Sequence, residues 1–335
     1  MKSLKPKVAI IGAGIAGLTC ANHLAAKDIP ATVFEKSKGV GGRTSTRRLE
    51  PNLSFDHGAQ YFTVRNPILQ RFVNHWENLR VVSEWKGRIV KLNNKEITST
   101  EIIPRYVGTP GMTAMATELA KNLEIMRGTK IIEVKHSSNQ WTLLDEAGIE
   151  HNGFDHLIVT LPAPQTAELL ANHPIGKIAF STPMAPCWAV LVGFEKKIDV
   201  PWDGAFIHDS ALSWVARNSS KPGRDATKDC WVLHANAEWS AKHLEDAPES
   251  VIHQLLESFT YASGENLPAQ FYKTAHRWRY SIGGSFINPK DLHDESIGLT
   301  ICGDWVNGGR IEGAFLSGIT AAENLPENQG VEKKR

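Results

Sequence analysis

Positions 7–18 read KVAIIGAGIAGL, and this stretch decides the fold class of the chain. The run Val8–Ile11 is short, apolar and mostly β-branched, which is typical of a buried parallel strand. Gly12, Gly14 and Gly17 follow with G-x-G-x-x-G spacing. In such a turn the first glycine permits the tight bend and the second admits a pyrophosphate, while the third packs the next helix on the strand. The stretch therefore predicts a strand, a phosphate-binding turn and a helix.

A second strand with a terminal acid continues the pattern. Ala31–Glu35 (ATVFE) ends in a carboxylate 18 residues after Gly17, the position that hydrogen-bonds an adenosine ribose in dinucleotide-binding folds. A simple tight turn would not need this succession of strand, helix, strand and acid. Leu18 and Thr19 follow Gly17 where a P-loop has lysine and Ser/Thr, which excludes a P-loop. The sequence thus favours a dinucleotide as ligand.

A second glycine pair with an arginine lies in KSKGVGGRT at positions 36–44, where it adds a close backbone approach and a guanidinium fork for phosphate. The glycine triplet, the acid and this segment together resemble the FAD-binding amine oxidase superfamily, in which they bind the ADP half of FAD. The resemblance implies non-covalently bound FAD. It assigns to the cofactor Gly12, Ala13, Gly14, Ala16, Gly17, Glu35, Lys36, Gly42 and Arg43. We interpret Arg47 and Arg48 as a solvated surface pair.

Another glycine-rich turn lies in LTICGDWVNGGRIEGAFLSGITAA at positions 299–322. A strand ending in Gly303 and Asp304 leads into the turn, and the following helix carries small residues at four-residue intervals, which allow close approach to a neighbouring element. In the superfamily the matching Gly-Asp pair contacts FAD and the helix N-terminus points at the flavin. The resemblance therefore assigns Asp304 and Ile311 to FAD. For Trp305 we predict packing beneath this helix.

Three further stretches resemble the renalases, FAD enzymes of the same superfamily: FDHGAQYFTVR at 55–65, RYVGTPGM at 105–112 and HRWRYS at 276–281. Renalases oxidise 2- and 6-dihydro isomers of NAD(P). The hydride passes to flavin N5, and O2 then reoxidises the flavin, giving NAD(P)+ and hydrogen peroxide. The resemblance implies this activity, with a dihydronicotinamide dinucleotide and O2 as partners. The residues are compatible with it, because hydride transfer needs close stacking and no general base.

Residues that contact the substrate are expected in the same three stretches. The catalytic candidates are Gln60, Tyr61 and Trp278. The candidates for substrate binding are Gln60, Tyr61, Phe62, Thr63, Arg65, Arg105 and Arg279, and Ala59 and Gln60 are further candidates for FAD binding. For each arginine, contact with a carboxamide or phosphate and a structural salt bridge are equally open. We interpret His57 as a hydrogen-bonded packing residue, since hydride chemistry leaves a base little to do.

Two other functions share the same motifs. The first is a flavin amine oxidase or desaturase that acts on another small-molecule donor, because these enzymes carry the same FAD segments. The second is a flavin-binding protein without catalytic activity. The residues at the substrate side favour an enzyme, and reduction of the flavin by a particular donor would distinguish the three.

The FAD motifs lie far apart in the chain, so the FAD-binding domain must be discontinuous. We predict an α/β protein with a Rossmann-type FAD-binding domain of the p-hydroxybenzoate hydroxylase and amine oxidase type. An interleaved α+β substrate domain is built on a mostly antiparallel sheet. The predicted FAD-binding domain comprises positions 1–62, 105–165 and 295–335, and the substrate domain comprises positions 63–104 and 166–294. Ile131 falls in a stretch that resembles the strand whose backbone meets the adenine.

Apolar runs at 188–194 and 230–234 predict strands of the substrate domain, and 248–259 predicts a helix. The chain has ten tryptophans, of which five lie in this part: Trp188, Trp202, Trp214, Trp231 and Trp239. Their flat rings would suit the walls of a site for a planar ligand or an ordinary sheet core, and both interpretations stay open.

Composition excludes several classes of function. With 37 Lys and Arg against 36 Asp and Glu among 335 residues, the formal net charge of +1 provides no field to attract nucleic acid or an anionic membrane. The four cysteines are Cys20, Cys187, Cys230 and Cys302. Because they form no CxxC pair, we predict no metal site, no disulfide framework and a cytoplasmic location. The basic start before an apolar run is similar to a secretory signal, but the glycine spacing favours a strand.

Overall fold

The computed structural model describes residues 5–49, 53–93 and 96–325. Two compact units make up this part of the chain, and each is assembled from separate segments. The first unit contains the described residues up to Gly42, then Ala116–Met184, and then the chain from Gly283 onward. The second unit contains Arg43–Met115 and Ala185–Ile282.

The helices and strands are numbered along the described chain. The strands are β1 (Val8–Ile11), β2 (Ala31–Glu35), β3 (Thr46–Leu49), β4 (Leu53–Asp56), β5 (Val82–Glu84), β6 (Ile89–Asn93), β7 (Glu96–Ser99), β8 (Tyr106–Gly108), β9 (Glu124–Arg127), β10 (Ile131–Ser137), β11 (Gln140–Asp145), β12 (Glu150–Phe154), β13 (His156–Val159), β14 (Ala185–Phe194), β15 (Gly204–Ile207), β16 (Leu212–Arg217), β17 (Asp229–Ala235), β18 (Gln270–Ile282), β19 (His293–Asp294) and β20 (Leu299–Ile301). The α-helices are α1 (Ile15–Ala26), α2 (Pro67–Asn78), α3 (Ala114–Leu119), α4 (Ala163–Leu169), α5 (Pro174–Phe180), α6 (Ala237–Lys242), α7 (Pro248–Ser263) and α8 (Ile311–Glu323).

The first unit is built on a sheet with the strand order β19-β20-β13-β1-β2-β9. All neighbouring pairs in it are parallel except β19 with β20. Strand β1 lies near the centre, and its residues Val8–Ile11 are all buried, as expected for a parallel strand covered on both faces. A smaller antiparallel sheet of β10, β11 and β12 packs its apolar residues into the same core.

Helices α1 and α8 pack closely together in the first unit. A Cβ atom on Gly318 would lie 2.4 Å from the carbonyl oxygen of Ala16, so a glycine is needed where the two helices meet. Ser317 exchanges hydrogen bonds with the backbone of Gly303, which fixes α8 to the turn that precedes it. The small residues predicted to allow a close approach therefore bring α8 against the nucleotide-binding helix.

The second unit is built on a sheet with the strand order β18-β14-β17-β16-β15-β6-β7. Its pairs are antiparallel except β15 with β6. Along β14 the side chains alternate: Trp188, Val190 and Val192 belong to the large core that includes residues of α7, whereas Ala189 and Leu191 belong to a smaller core with Phe55. The sheet is therefore covered on both faces within its own unit.

The fold class predicted from the sequence is confirmed, since a Rossmann-type parallel sheet is interleaved with an α+β unit on a mostly antiparallel sheet. The assignment of segments to FAD or substrate remains a prediction. Positions 1–4, 50–52, 94–95 and 326–335 of the predicted domains lie outside the described residues. Of the tryptophans predicted either to line a site or to form a sheet core, Trp188, Trp202 and Trp231 belong to the sheet core. No described helix is long and apolar enough to cross a bilayer.

Candidate active site

The turn after β1 has the backbone geometry of a phosphate-binding loop. Gly12 has a φ of 110°, and a Cβ atom there would lie 2.5 Å from Thr160 Oγ1. A Cβ atom on Gly17 would lie 2.1 Å from the Gly12 carbonyl oxygen, so this glycine allows α1 to pack on the turn. A Cβ atom on Gly14, in contrast, would meet nothing within 4 Å. Two glycines thus serve the packing of the protein itself, and the third faces open space.

The acid at the end of β2 is held against this turn. Glu35 is buried, and its carboxylate accepts hydrogen bonds from the backbone N–H groups of Ala13 and Ser37, both at 2.8 Å. The second glycine segment lies beside the same turn, because Gly41 N–H donates to the carbonyl oxygen of Ala13. A Cβ atom on Gly42 would lie 3.8 Å from Gly14 Cα, so the two glycines are neighbours. The structure therefore brings most of the residues predicted for the ADP half of FAD into one place.

The N-terminus of α1 is open to an anion. Gly14, its N-cap, supplies no side-chain hydrogen bond, and the first turn carries no acidic residue. Unpaired N–H groups and the helix dipole favour negative charge at such a position. Together with the open space over Gly14, this arrangement fits the pyrophosphate of a dinucleotide.

The second glycine-rich turn connects β20 with α8. The carbonyl oxygen of Asp304 accepts hydrogen bonds from the N–H groups of Asn307 and Gly309. Gly308 and Gly309 have φ angles of 79° and 74°, which are accessible to glycine at little cost. Helix α8 begins at Ile311, its N-cap Arg310 makes no side-chain cap hydrogen bond, and its first turn carries the acid Glu312. Asp304 and Ile311, both predicted for FAD, lie at this turn.

In the second unit, two segments that are far apart in the sequence meet beside β4. The indole Nε1 of Trp278 donates a hydrogen bond of 2.9 Å to the carbonyl oxygen of His57, and the two rings stack with centroids 5.1 Å apart. His276 packs its ring edge against both of them. His234 Nε2 lies 3.1 Å from the same carbonyl oxygen, which can only accept, so this nitrogen carries the proton.

These histidines are neutral at physiological pH. Burial lowers the pKa of His57 to about 4, with His276 and Arg47 lowering it further. Burial also lowers the pKa of His234 to about 4 and lowers the pKa of His276. The rings therefore form an uncharged aromatic surface of weak bases, in agreement with the interpretation of His57 as a packing residue.

We expect the protein to lose stability as the pH falls from about 6.5 to about 4. In this interval the unfolded chain protonates His57 and His234 at their usual pKa of 6.5, while the folded protein keeps both rings neutral. The unfolded state then binds more protons, so the free energy of unfolding decreases with decreasing pH. Thermal midpoints of apoprotein measured between about pH 7 and about pH 5 should fall less steeply in a His57→Phe variant. The exposed His253→Gln serves as control, and equal slopes for His57→Phe and wild type would contradict the expectation.

A buried cluster of charges lies next to the same segment. The Asp56 carboxylate accepts hydrogen bonds from Arg224 Nη2 at 2.5 Å and Lys221 Nζ at 3.3 Å, and all three side chains are almost completely buried. The Lys221 ammonium also donates to Gln60 Oε1 and Asn218 Oδ1. Burial lowers the pKa of Lys221 to about 8, against the opposing effect of Asp56. Burial alone would raise the pKa of Asp56, but the two cations hold it below its usual value.

Gln60 and Tyr61, the first catalytic candidates, differ in their surroundings. The Gln60 amide is occupied by protein groups: it accepts from Lys221, and its Nε2 donates to the carbonyl oxygens of Asp56 and Gly58. Tyr61 is half-buried among aromatic rings, 5.4 Å from Trp214 and 6.3 Å from Trp85 between centroids. Arg105 Cζ lies 5.5 Å from the centre of its ring.

The other predicted residues fall into three groups. Phe62 and Ile131 are buried. Ala59, Thr63 and Arg43 are partly buried, and Lys36, Arg65 and Arg279 are exposed. Arg43 Nη1 donates to the carbonyl oxygen of Ser281. Arg279 forms a bidentate ion pair with Glu245, on the face of β18 opposite Trp278, so its contacts favour the salt-bridge alternative. Trp305 is buried and donates to the Leu161 carbonyl oxygen, which supports its predicted packing role.

Sequence reasoning missed the loop Asn218–Arg224 (NSSKPGR), and it named Trp214 only as one of five tryptophans that could line a site or a sheet core. The loop reads as a polar, solvated turn because lysine, arginine and Asn-Ser-Ser are usually exposed. The two cations that flank its Pro-Gly pair could have marked this loop as a candidate. Their carboxylate partner, Asp56, however, lies 165 positions before Lys221. Nothing local in the sequence connects the two.

Family comparison agrees with this geometry. Residues 10–76 match a family model described as NAD(P)-binding Rossmann-like domain, and residues 76–326 match the model described as flavin containing amine oxidoreductase. The chain belongs to the flavin-containing amine oxidoreductase family. This membership and the dinucleotide geometry of the first unit identify FAD as the cofactor.

Sequence relatives match only a short part of the chain. One is the Lysine-specific histone demethylase 1 homolog 3 of Arabidopsis thaliana, 46% identical over 57 residues, which are 17% of this chain and 4% of that protein. Another is a 4,4'-diapophytoene desaturase of Staphylococcus haemolyticus, 45% identical over 51 residues, which are 15% of this chain and 10% of the desaturase. The chain thus aligns with a small fraction of the length of these relatives.

Solved structures match nearly the whole chain at low identity. A protein from Exiguobacterium sp. named "Putative protoporphyrinogen oxidase" has a TM-score of 0.77 and 12% identity, and the match covers 96% of this chain and 98% of that chain. Putrescine oxidase bound to putrescine has a TM-score of 0.68 and 13% identity, with the same two coverages. At these identities the likeness shows a shared fold.

Proposed function

We propose that the chain is an FAD-dependent oxidase of 2- and 6-dihydro isomers of NAD(P), forming NAD(P)+ and hydrogen peroxide. The observation that carries the proposal is the meeting of two segments that resemble the renalases. His57 and Trp278 belong to these segments, lie 221 positions apart in the sequence, and are joined by a hydrogen bond and a ring stack. Segments that share a resemblance and a location are expected to serve one site.

FAD, when bound, would supply the chemistry: it would accept a hydride from the electron donor and pass two electrons to O2. The chain's own residues have to bind and orient the donor. We assign this work to Gln60, Tyr61 and Trp278, with Phe62, Thr63 and Arg105 as further contacts. Gln60 is held in one orientation by Lys221, and Trp278 by the His57 carbonyl oxygen, so both are preorganised. The neutral histidines suit a reaction that needs no proton transfer from carbon.

An amine donor is the principal alternative, since putrescine oxidase shares the fold. The buried charges of the second unit argue against a cationic donor. Asp56 is the carboxylate of the buried cluster, and it is already shared by Lys221 and Arg224. A protonated diamine would be repelled by the surplus positive charge, whereas the phosphates of a dinucleotide would be attracted.

An anaerobic donor screen tests the proposal. FAD-loaded protein is mixed in a stopped-flow instrument with 6-dihydro-NAD, 6-dihydro-NADP, putrescine and benzylamine, and the long-wavelength flavin absorbance is followed. We expect rapid bleaching by the dihydronicotinamides and none by the amines. Bleaching by amines alone would establish the alternative function, and a flavin that no donor reduces would indicate a non-catalytic flavin protein. Admission of air should then yield hydrogen peroxide in proportion to the flavin reduced.

We also propose a cytoplasmic location. The four cysteines are free and buried, and burial raises the pKa of the Cys187 and Cys302 thiols to about 12. Buried thiols of this kind agree with a reducing compartment.

A further inference from the structure

Arg105 is a buried cation that lacks an ionic partner. It is 9% exposed, and no described carboxylate lies in ion-pair contact with it. Its Nη1 and Nη2 donate only to the carbonyl oxygens of Ile103 and Glu101, both at 3.5 Å, and its Nε has no partner. Burial of a guanidinium under these conditions is costly, because its charge has no counter-charge, its Nε–H has no acceptor and its two hydrogen bonds are long. Such a residue is expected to find its partner in a ligand.

Trp214 presents a second unused hydrogen-bond donor, and both it and Arg105 lie beside the ring of Tyr61. It is 7% exposed, and its indole N–H has no hydrogen-bond partner. The Trp214 ring lies 5.4 Å from the Tyr61 ring, and Arg105 Cζ lies 5.5 Å from the centre of the Tyr61 ring. Two buried, unsatisfied donors therefore adjoin one half-buried aromatic ring. Buried indole N–H groups usually find an acceptor, so an acceptor is missing here.

The neighbouring buried charges strengthen the preference for an anion. Lys221 and Arg224 share the single carboxylate of Asp56, which leaves one surplus positive charge. This cluster is close to the same ring, since Lys221 Nζ lies 5.5 Å from the centre of Trp85 and Trp85 lies 6.3 Å from Tyr61. Together, the unpaired guanidinium of Arg105 and the cluster of Asp56, Lys221 and Arg224 comprise three buried cations and one buried anion. A bound oxyanion would offset the imbalance.

We propose that Arg105 and Trp214, both against the ring of Tyr61, form an oxyanion subsite that binds a phosphate or carboxylate group of the electron donor. Arg105 supplies a charged donor fork and Trp214 a single neutral donor, while Tyr61 offers a face to the adjoining part of the ligand. Only the identity of the electron donor rests on the function proposed above. Binding of the oxyanion follows from the contacts of these three residues.

The test measures anion binding to FAD-saturated protein by isothermal titration calorimetry. The probes are pyrophosphate for a phosphate group, benzoate for a carboxylate, and benzamide as the neutral analogue of benzoate. We expect the wild type to bind at least one anion and to bind benzamide at least tenfold more weakly. Arg105→Gln should weaken binding of the anion at least tenfold, and Trp214→Phe several-fold, because a charge-assisted hydrogen bond contributes more than a neutral one. Arg71→Gln, at an exposed position of α2, is the matched control.

Fold integrity is checked by FAD content and thermal midpoint for each variant. Should Arg105→Gln fail to fold, Arg105→Lys keeps the charge without the fork and is expected to bind with intermediate affinity. Binding of pyrophosphate alone identifies a phosphate subsite, and binding of benzoate alone a carboxylate subsite. Absence of anion binding in the wild type, or unchanged binding in the Arg105 and Trp214 variants, would overturn the proposal. Because no electron donor is used, failure of the donor screen would leave this result intact.

Discussion

Replacing Asp56 by asparagine is expected to lower the free energy of unfolding by about 3–5 kcal/mol. The side chain keeps its shape, but Lys221 and Arg224 remain buried with no counter-charge. Removal of one partner from a buried ion pair costs more than the pair itself contributes, because the remaining charges stay desolvated. Urea denaturation of the apoprotein, followed by tryptophan fluorescence, measures the change.

Asp28→Asn provides a matched control for this experiment. Asp28 pairs with Lys5 at 3.3 Å, the distance between Asp56 and Lys221, but its side chain is 89% exposed. Asp28 has a φ of 54°, which asparagine tolerates well. We expect this variant to lie within about 0.5 kcal/mol of wild type. If both variants lost equal stability, the importance of burial in the Asp56 cluster would be refuted.

A second large effect is expected for substitutions in the glycine turn after β1. Gly17→Ala should destabilise the apoprotein by roughly 1–3 kcal/mol, because the new methyl group would overlap the Gly12 carbonyl oxygen. Gly14→Ala should leave the apoprotein unchanged, because its methyl group meets no protein atom. The same methyl group would obstruct the pyrophosphate, so we expect FAD affinity to fall at least tenfold. Fluorescence titration with FAD and apoprotein denaturation curves separate the two effects.

Gly39→Ala is the control for the pair, since a methyl group there also meets nothing within 4 Å and Gly39 is exposed. It should preserve both apoprotein stability and FAD affinity. Wild-type FAD affinity in Gly14→Ala would remove Gly14 from the pyrophosphate site. Loss of apoprotein stability in Gly14→Ala would instead show that this position serves packing.

The nucleotide half could be predicted because its information is local. Gly12, Gly14, Gly17 and Glu35 lie within one strand-helix-strand unit, and each glycine has a distinct stereochemical reason. The strands β1, β2, β14 and β17 were likewise readable from apolar runs. Parallel and antiparallel strands that are buried on both faces leave this continuous pattern in the sequence.

The substrate side was predicted only in part, because its contacts join distant segments. Arg105 and Tyr61 were found through a resemblance, but the unused donor of Trp214 is visible only when its neighbours are known. Lys221 and Arg224 look like ordinary surface cations until Asp56 is placed beside them. Burial of a polar residue depends on the tertiary structure. A loop has no regular spacing of apolar and polar residues from which such burial could be predicted.

The interleaving of the two units has a consequence for biosynthesis. When a ribosome has released residues up to Ile282, both segments of the second unit are available. The first unit, in contrast, still lacks β20 and α8, although β1, β2 and β13 were made much earlier. The apolar surfaces of β13 and α1 therefore remain uncovered until β20 and α8 are synthesised, and uncovered apolar surfaces favour aggregation. We expect folding yield to depend on chaperones that protect the nascent chain during this interval.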